Sequence, residues 1–333
     1  PANGDALHLL GLVSHQSGQS PTAIALIKRA LKISSNQPDF LRNLANILRE
    51  SGKFEEAIQV YRQIIGLQLG SAEIYNNLGV SLYKLNLLEE AIRVYQHAIR
   101  FDPKHVRTYN DMGVSFAELG QFDKAMNACK KAIELDRYNY EAYNNLGNVY
   151  NELGQRENAI RAYHEALAIN PHYAEAYYNL GMLLQKQGKL EEAVTAYHEA
   201  LAINPHYAEV YNNLGHMLHK QRKLDGAFQL YQKAVSLKSD FVIAHRNLGD
   251  VLCQQGQIEQ AIQSYSKVIE IQPGNAEAHN HLGMILLLKG DFQRGWKEYE
   301  WRLKCNDFPV GKRSFAQPVW DGSSLNSKTI FLY

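Results

Sequence analysis

The sequence predicts an all-α solenoid built from stacked helical hairpins. Three observations carry that prediction: a fixed 34-residue period, small residues in two registers of the period, and helix-ending residues between them. Gly79, Gly113, Gly147, Gly181, Gly215, Gly249 and Gly283 lie 34 apart, and the register reaches back through Ala45 to Gly11. A second ladder runs Ala23, Ala57, Ala91, Ala125, Ala159, Ala193, Ala227, Ala261 and then Gly295. A third is mostly tyrosine: Tyr61, Tyr95, Cys129, Tyr163, Tyr197, Tyr231, Tyr265, Tyr299. A fourth is mostly glycine: Gly18, Gly52, Asn86, Gly120, Gly154, Gly188, Arg222, Gly256, Gly290. Self-similarity at such a period marks a repeat architecture.

Each ladder has a physical job. Tyr143, Leu146, Gly147 and Tyr150 recur at helical spacing and give the first helix of their repeat (helix A) one apolar stripe. Gly154 follows, where a helix end favours positive φ. Ala159, Tyr163 and Ala166 mark the inner face of the second helix (helix B), the alanines allowing close approach and the aromatic ring filling the wider gap. Pro171 then stops helix B. A hairpin of this size cannot bury its own faces, so the hairpins stack.

The pattern aromatic-x-x-Leu-Gly-x-x-aromatic, then Ala, aromatic, Ala and Pro, resembles the tetratricopeptide repeat (TPR). The repeats start at 4, 38, 72, 106, 140, 174, 208, 242 and 276, the last divergent, so the solenoid spans 4–309. Residues 162–175 and 196–209 are identical, which points to an internal duplication. Ile64, Val268 and Arg302 replace a small residue, and Leu69, Arg137 and Ser239 replace the proline. These departures are expected to loosen single hairpins without changing the architecture. The resemblance implies a right-handed superhelix of about nine helix-turn-helix repeats, with helix A on the concave side.

Composition excludes several function classes. The chain has 35 basic and 34 acidic residues, without the clustered excess charge of a phosphate-binding surface, so no nucleic-acid partner is expected. Cys129, Cys253 and Cys305 are far apart, form no CxxC, and fit a reducing, cytoplasmic compartment. No apolar run approaches the roughly 20 residues of a membrane span, and the first residues lack the basic region of a signal peptide. The chain begins at Pro1 rather than Met, the expectation for a processed or excised piece.

The groove is expected to be rich in amides. The residue before each Leu-Gly pair, or its equivalent, reads Leu9, Asn43, Asn77, Asp111, Asn145, Asn179, Asn213, Asn247, His281. One residue earlier the series is His8, Arg42, Asn76, Asn110, Asn144, Tyr178, Asn212, Arg246, Asn280. A carboxamide both donates and accepts, so a row of them suits the backbone of an extended peptide regardless of its sequence. The arrangement is similar to the TPR arms of O-linked N-acetylglucosamine transferases, which hold substrate protein with an asparagine ladder. The alternative is structural, because asparagine in this register also bridges neighbouring helices. A smaller constellation, Arg42, Asn46, Asn77 and Arg107, resembles the carboxylate clamp of TPR co-chaperones, but Asp111 stands where that family has a cation and would repel an anionic tail.

Little else suggests chemistry. His216 and His219 share a helix face and His279 and His281 lie close in sequence, yet no third or fourth ligand converges on them, so no metal and no cofactor are expected. There is no P-loop, no G-x-S-x-G, no H-E-x-x-H and no G-x-G-x-x-G, so the chain is not expected to be an enzyme. The expected partner is a polypeptide, with structural scaffolding or self-assembly as the alternative.

The register changes after Gly290. Trp296, Trp301 and Trp320 all fall in this last stretch, and Thr329 to Tyr333 read as a buried strand. Residues 310–333 are therefore expected to be a linker and the first strand of a further α/β domain. Gly295, Trp296, Tyr299, Glu300, Trp301, Arg302, then Pro318, Trp320, Asp321, Gly322 and Leu325 resemble the junction of bacterial TPR proteins that continue into a glycosyltransferase-like domain. The competing reading is that the tail caps the solenoid, with Trp296 and Trp301 covering its last apolar face.

Overall fold

The computed structural model describes residues 3–305, which form two compact units meeting in sequence at Pro205 and His206. The first unit holds α1 (Gly4–Gln16), α2 (Ser20–Ile33), α3 (Pro38–Glu50), α4 (Phe54–Gly66), α5 (Ala72–Lys84), α6 (Leu88–Phe101), α7 (Val106–Glu118), α8 (Phe122–Leu135), α9 (Tyr140–Glu152), α10 (Arg156–Ile169), α11 (Ala174–Lys186) and α12 (Leu190–Ile203). The second holds α13 (Ala208–Lys220), α14 (Leu224–Leu237), α15 (Val242–Gln254), α16 (Ile258–Ile271), α17 (Ala276–Leu288), α18 (Phe292–Tyr299) and a 3-10 turn, Glu300–Lys304. Odd-numbered helices are helix A of each repeat and begin at the residues the period predicts; even-numbered ones are helix B. The described residues contain no strand. The expected linker and strand at 310–333 lie outside the described residues.

The ladders explain the packing. Tyr61, Tyr95, Tyr163, Tyr197 and Tyr231 are at most 1% exposed, and the last four lie against the glycine of their own helix A. A Cβ placed on Gly147 would lie 2.5 Å from Tyr163 Cε1, and one on Gly181 2.7 Å from Tyr197 Cε1. Glycine is therefore there for close approach of helix A to a ring; in the second hairpin Ala45 holds that register, fully buried like Tyr61. In the divergent ninth hairpin the ring contact is lost, and a Cβ on Gly283 would meet Tyr299 backbone instead.

The turn ladder has positive φ throughout, including Gly154 at 71° and the non-glycines Asn86 at 60° and Arg222 at 61°. Turn geometry is thus kept even where the favoured residue is absent. The same holds at helix B ends: α8 and α14 stop at Leu135 and Leu237 without the repeat's proline, as α10 stops at Ile169 with it. In α8 the Asp136 carboxylate accepts from the backbone N–H of Tyr138 at 3.0 Å, the contact that Asp102 and Asn170 make across the prolines of their repeats. At Leu69 the end does change: α4 stops at Gly66, and Gln68 turns the chain at φ 60°. Ile64 and Val268, where loosening was expected, are 2% and 0% exposed, so the larger side chains are packed. In the ninth hairpin helix B splits into α18 and the 3-10 turn; Trp301 stacks on His279 at 4.0 Å, whereas Trp296 is 55% exposed with its ring edge-on to Tyr299.

Candidate functional site

The two asparagine series turn out to face each other across successive A helices. In several repeats the side chain before the Leu-Gly pair reaches the side chain 35 residues earlier, on the preceding helix A. In the first unit, Asn145 Nδ2 donates to Asn110 Oδ1 at 2.8 Å, and Asn179 Nδ2 donates to Asn144 Oδ1 at 3.0 Å. Asn43 Nδ2 lies 2.9 Å from His8 Nε2, and His8 is stacked on Phe40. In the second unit Asn247 Nδ2 donates to Asn212 Oδ1 at 2.9 Å. Stacking with a 34-residue repeat brings residues n and n+35 side by side in these pairs, whereas Asn77 and His281 turn to Asn46 and Asp250, 31 residues earlier.

Burial sorts the two series. Asn76, Asn110, Asn144 and Asn212 are buried, at 0–6% exposure, as are Asn77 and Asn179 in the other series. Asn43, Asn145, Asn213, Asn247 and His281 are half-buried. A buried amide must be hydrogen-bonded, and these are: Asn144 also donates to Glu175 Oε1 at 3.3 Å. Each pair uses one N–H of the donor residue and one lone pair of the acceptor, leaving a second N–H and the donor's own carbonyl oxygen.

Asp111 interrupts the amide series. It accepts from Asn76 Nδ2 at 3.0 Å, and Arg107 Nε lies 3.7 Å away. Burial raises its pKa above the usual carboxylate range, an effect that the Asn76 hydrogen bond and the Arg107 charge oppose. The residues of the clamp-like set are likewise engaged. Arg42 pairs with Asp39 at 2.7 Å, and Asn46 Oδ1 accepts from both Tyr61 OH and Asn77 Nδ2. A carboxylate ligand would have to displace these contacts.

That last cluster recurs in titratable form in the second unit. Tyr265 OH donates to Asp250 Oδ1 at 2.5 Å, and His281 Nδ1 lies 3.6 Å from the same oxygen. Burial and the Asp250 charge push the Tyr265 hydroxyl far above its ordinary pKa. His216 is shifted down by desolvation, with Lys220, His219 and Arg246 adding to the effect. His219 Nε2 sits 2.8 Å from Gln254 Nε2. Among the described residues no three His, Cys, Asp or Glu side chains converge as a metal site.

Sequence reading missed one feature. A cavity of 370 Å³ opens between α7 and α9, with Gly113, Val114, Ala117 and Val149 among its walls. The visible signal was Cys129, the break in the tyrosine ladder.

Sequence profiles described as TPR repeat match residues 115–154, 147–188, 183–222, 215–252 and 249–290, and two described as tetratricopeptide repeat match 42–106 and 14–68. No curated protein matches the chain. Among solved structures, the APC/C hetero-tetramer Cut9–Hcn1 is similar at 20% identity with a TM-score of 0.61, covering 80% of this chain. The chain spans 52% of that protein's length. PilF of Pseudomonas aeruginosa is similar at 22% identity with a TM-score of 0.55, covering 60% of this chain and 89% of that one. MamA aligns at 28% identity over 49% of this chain, with a TM-score of 0.42. At these identities the first two likenesses show the fold. No helix among the described residues is long and apolar enough to cross a membrane.

Proposed function

Because the chain belongs to the tetratricopeptide repeat family, whose repeats are generally non-catalytic scaffolds for protein partners, we propose that it holds an extended polypeptide segment along the A-helix face of its hairpins. The observation that carries this reading is the fixed orientation of the half-buried amides. Asn145 and Asn247 are each held by a bond to the preceding helix, so the ordering of the side chain is already complete before a ligand arrives. What remains on each amide is one donor and one acceptor, the complement of a peptide unit. Each such contact nets about 0.5–1.5 kcal/mol, so a few of them give micromolar or weaker binding with little sequence preference. Titration of the whole chain with a decapeptide of alternating serine and alanine tests the reading. The side-chain NH₂ resonances of Asn145 and Asn247 are expected to move with the peptide; binding that leaves both unmoved overturns it.

A finer reading makes this scaffold the recruiting arm of a glycosyltransferase-like protein. Its support is the resemblance of the segment from Gly295 to Leu325, and its test is the coding sequence after Tyr333, where a stop codon overturns it. Self-association is a second reading favoured by one observation. Leu10 and Val13 on α1 are 53% and 57% exposed, while the equivalent Leu44 and Ile47 are each 3% exposed. A second copy stacked on α1 would bury them, and light scattering that does not change with concentration would refute it.

A further inference from the structure

Two small residues, Cys129 and Ala117, fall together in the fourth hairpin beside a valine that the third hairpin also has. The tyrosine ladder reads Tyr95, Cys129, Tyr163; the residue 15 places earlier reads Val80, Val114, Asn148; three places on, the helix A ladder reads Tyr83, Ala117, Asn151. In the second and fifth hairpins the phenol runs along helix A and its hydroxyl ends on Asn46 at 2.7 Å or Asn148 at 2.8 Å. Cys129 is fully buried and its sulfur reaches only as far as Gly113, where a Cβ would lie 2.9 Å from it. The path a phenol would take onward to Val114 is left empty, and Ala117 places nothing larger than a methyl beside it. The 370 Å³ cavity opens beside Gly113, Val114 and Ala117, with Val149 and Phe122 completing its apolar wall.

Its rim has a different character. Glu118 and Glu152 stand on the two helices that flank the cavity, with Asn145 and Asn148 between them. Both glutamates are exposed, and among the described residues neither has an ion-pair partner. Tyr83 OH donates to Glu118 Oε1 at 3.4 Å, a long contact that leaves the carboxylate's second oxygen available. The Asn148 carbonyl is occupied by Tyr163.

We infer that this cavity is a side-chain pocket for a lysine or arginine of the bound polypeptide. The apolar wall takes the aliphatic stem and the two carboxylates take the cationic head, the division that long basic side chains present. An acidic side chain would meet two like charges, and an apolar one would gain nothing from them. The inference rests on the polypeptide-binding reading and adds a preference to it: a groove otherwise indifferent to sequence selects a basic residue at the fourth and fifth hairpins.

The test uses the whole chain and three serine/alanine decapeptides carrying lysine, norleucine or glutamate at the centre, followed by methyl NMR of Val114, Ala117 and Val149. The lysine peptide is expected to shift these methyls and to bind about tenfold more tightly than the other two, an advantage that shrinks with added salt. C129Y restores the repeat's own tyrosine and sends a phenol toward the Val114 wall of the cavity; it is expected to keep helicity, to bind all three peptides, and to lose the lysine preference. E118Q/E152Q keeps the cavity and should lose the same preference, so the inference stays testable even where C129Y does not fold. Equal binding of the three peptides by the unaltered chain, or a lysine preference that survives in either variant, overturns the pocket while leaving the polypeptide reading in place. Failure of all three peptides to bind overturns both.

Discussion

Asn144 is fully buried and accepts from Asn179, itself 9% exposed, at 3.0 Å. Replacing Asn144 by alanine removes that acceptor and leaves the Asn179 amide with a buried donor that water cannot reach. An unsatisfied buried donor costs about 1–3 kcal/mol, and the contact of Asn144 with Glu175, at 3.3 Å near the surface, adds less than a full hydrogen bond. N144A should therefore lose about 2–3 kcal/mol. N179A removes the partner instead, and the double variant N144A/N179A leaves no orphan, so its cost should fall short of the sum of the singles by about 1 kcal/mol or more. Urea denaturation followed by the helical signal, together with hydrogen exchange at α9 and α11, gives both numbers; exchange localises the loss, because a stack of repeats melts by neighbours and not always as one unit. Additive singles, or an N144A cost under about 0.5 kcal/mol, would show that the pairs are not holding the helices together. The same cycle at Asn212 and Asn247 should give a smaller coupling, because Asn247 is half-exposed and water can replace the lost partner.

The remaining predictions concern single sites. D111N keeps an acceptor for Asn76 and restores the amide series. Burial raises the Asp111 pKa, so the folded protein holds that proton more tightly than the unfolded one and loses stability as pH rises through the raised value. D111N should then melt higher than the natural chain at pH 7, with the gap closing as pH falls through the carboxylate range; a constant gap would refute the charge as its cause. R222G relieves a non-glycine φ of 61° at an exposed turn and should stabilise by about 0.5–1 kcal/mol in urea denaturation, with destabilisation as the refuting result. Burial pushes the Cys129 thiol up to about 12 and hides it completely, so at pH 8 it should stay unmodified by a thiol-disulfide reagent while the half-buried Cys253 and Cys305 react; mass spectrometry of the labelled peptides decides it.

Much of the fold could be read from the residues because repetition averages out local ambiguity. A single Leu-Gly pair says little, but seven glycines at one spacing can only mark one face of one helix, and the structure starts helix A at each predicted residue. The turn ladder shows why residue identity matters less than position: Arg222 takes the same backbone as Gly188, because the hairpins on either side fix the turn. The ninth hairpin was harder to read. Its helix B keeps the spacing of the others but breaks at Glu300, since Tyr299 meets Gly283 through its backbone and supplies no ring. Which amides are buried was also beyond the sequence. Asn144 and Asn145 are chemically identical neighbours, and a rotation of one residue around the helix buries Asn144 against α11 while Asn145 bonds Asn110 on α7 and stays half-buried.

That rotation also limits what the amide series can do. A row of asparagines read as a ligand grip and a row read as a structural bridge need not exclude each other, because a carboxamide has more hydrogen-bonding capacity than one bond consumes. In these pairs the inner residue is buried and bonded to its neighbour, and the outer one is held in place with capacity to spare. Variants at the inner positions should therefore report on stability, and variants at the outer positions on binding. Asn145→Ala is the informative outer case: the Asn110 carbonyl, on a residue 6% exposed, would lose its donor, and water at the half-open edge can donate in its place. Its stability loss should stay within about 1 kcal/mol while peptide affinity falls several-fold. A loss of about 2 kcal/mol or more with affinity intact would return Asn145 to the structural class and leave the A-helix face without its grip.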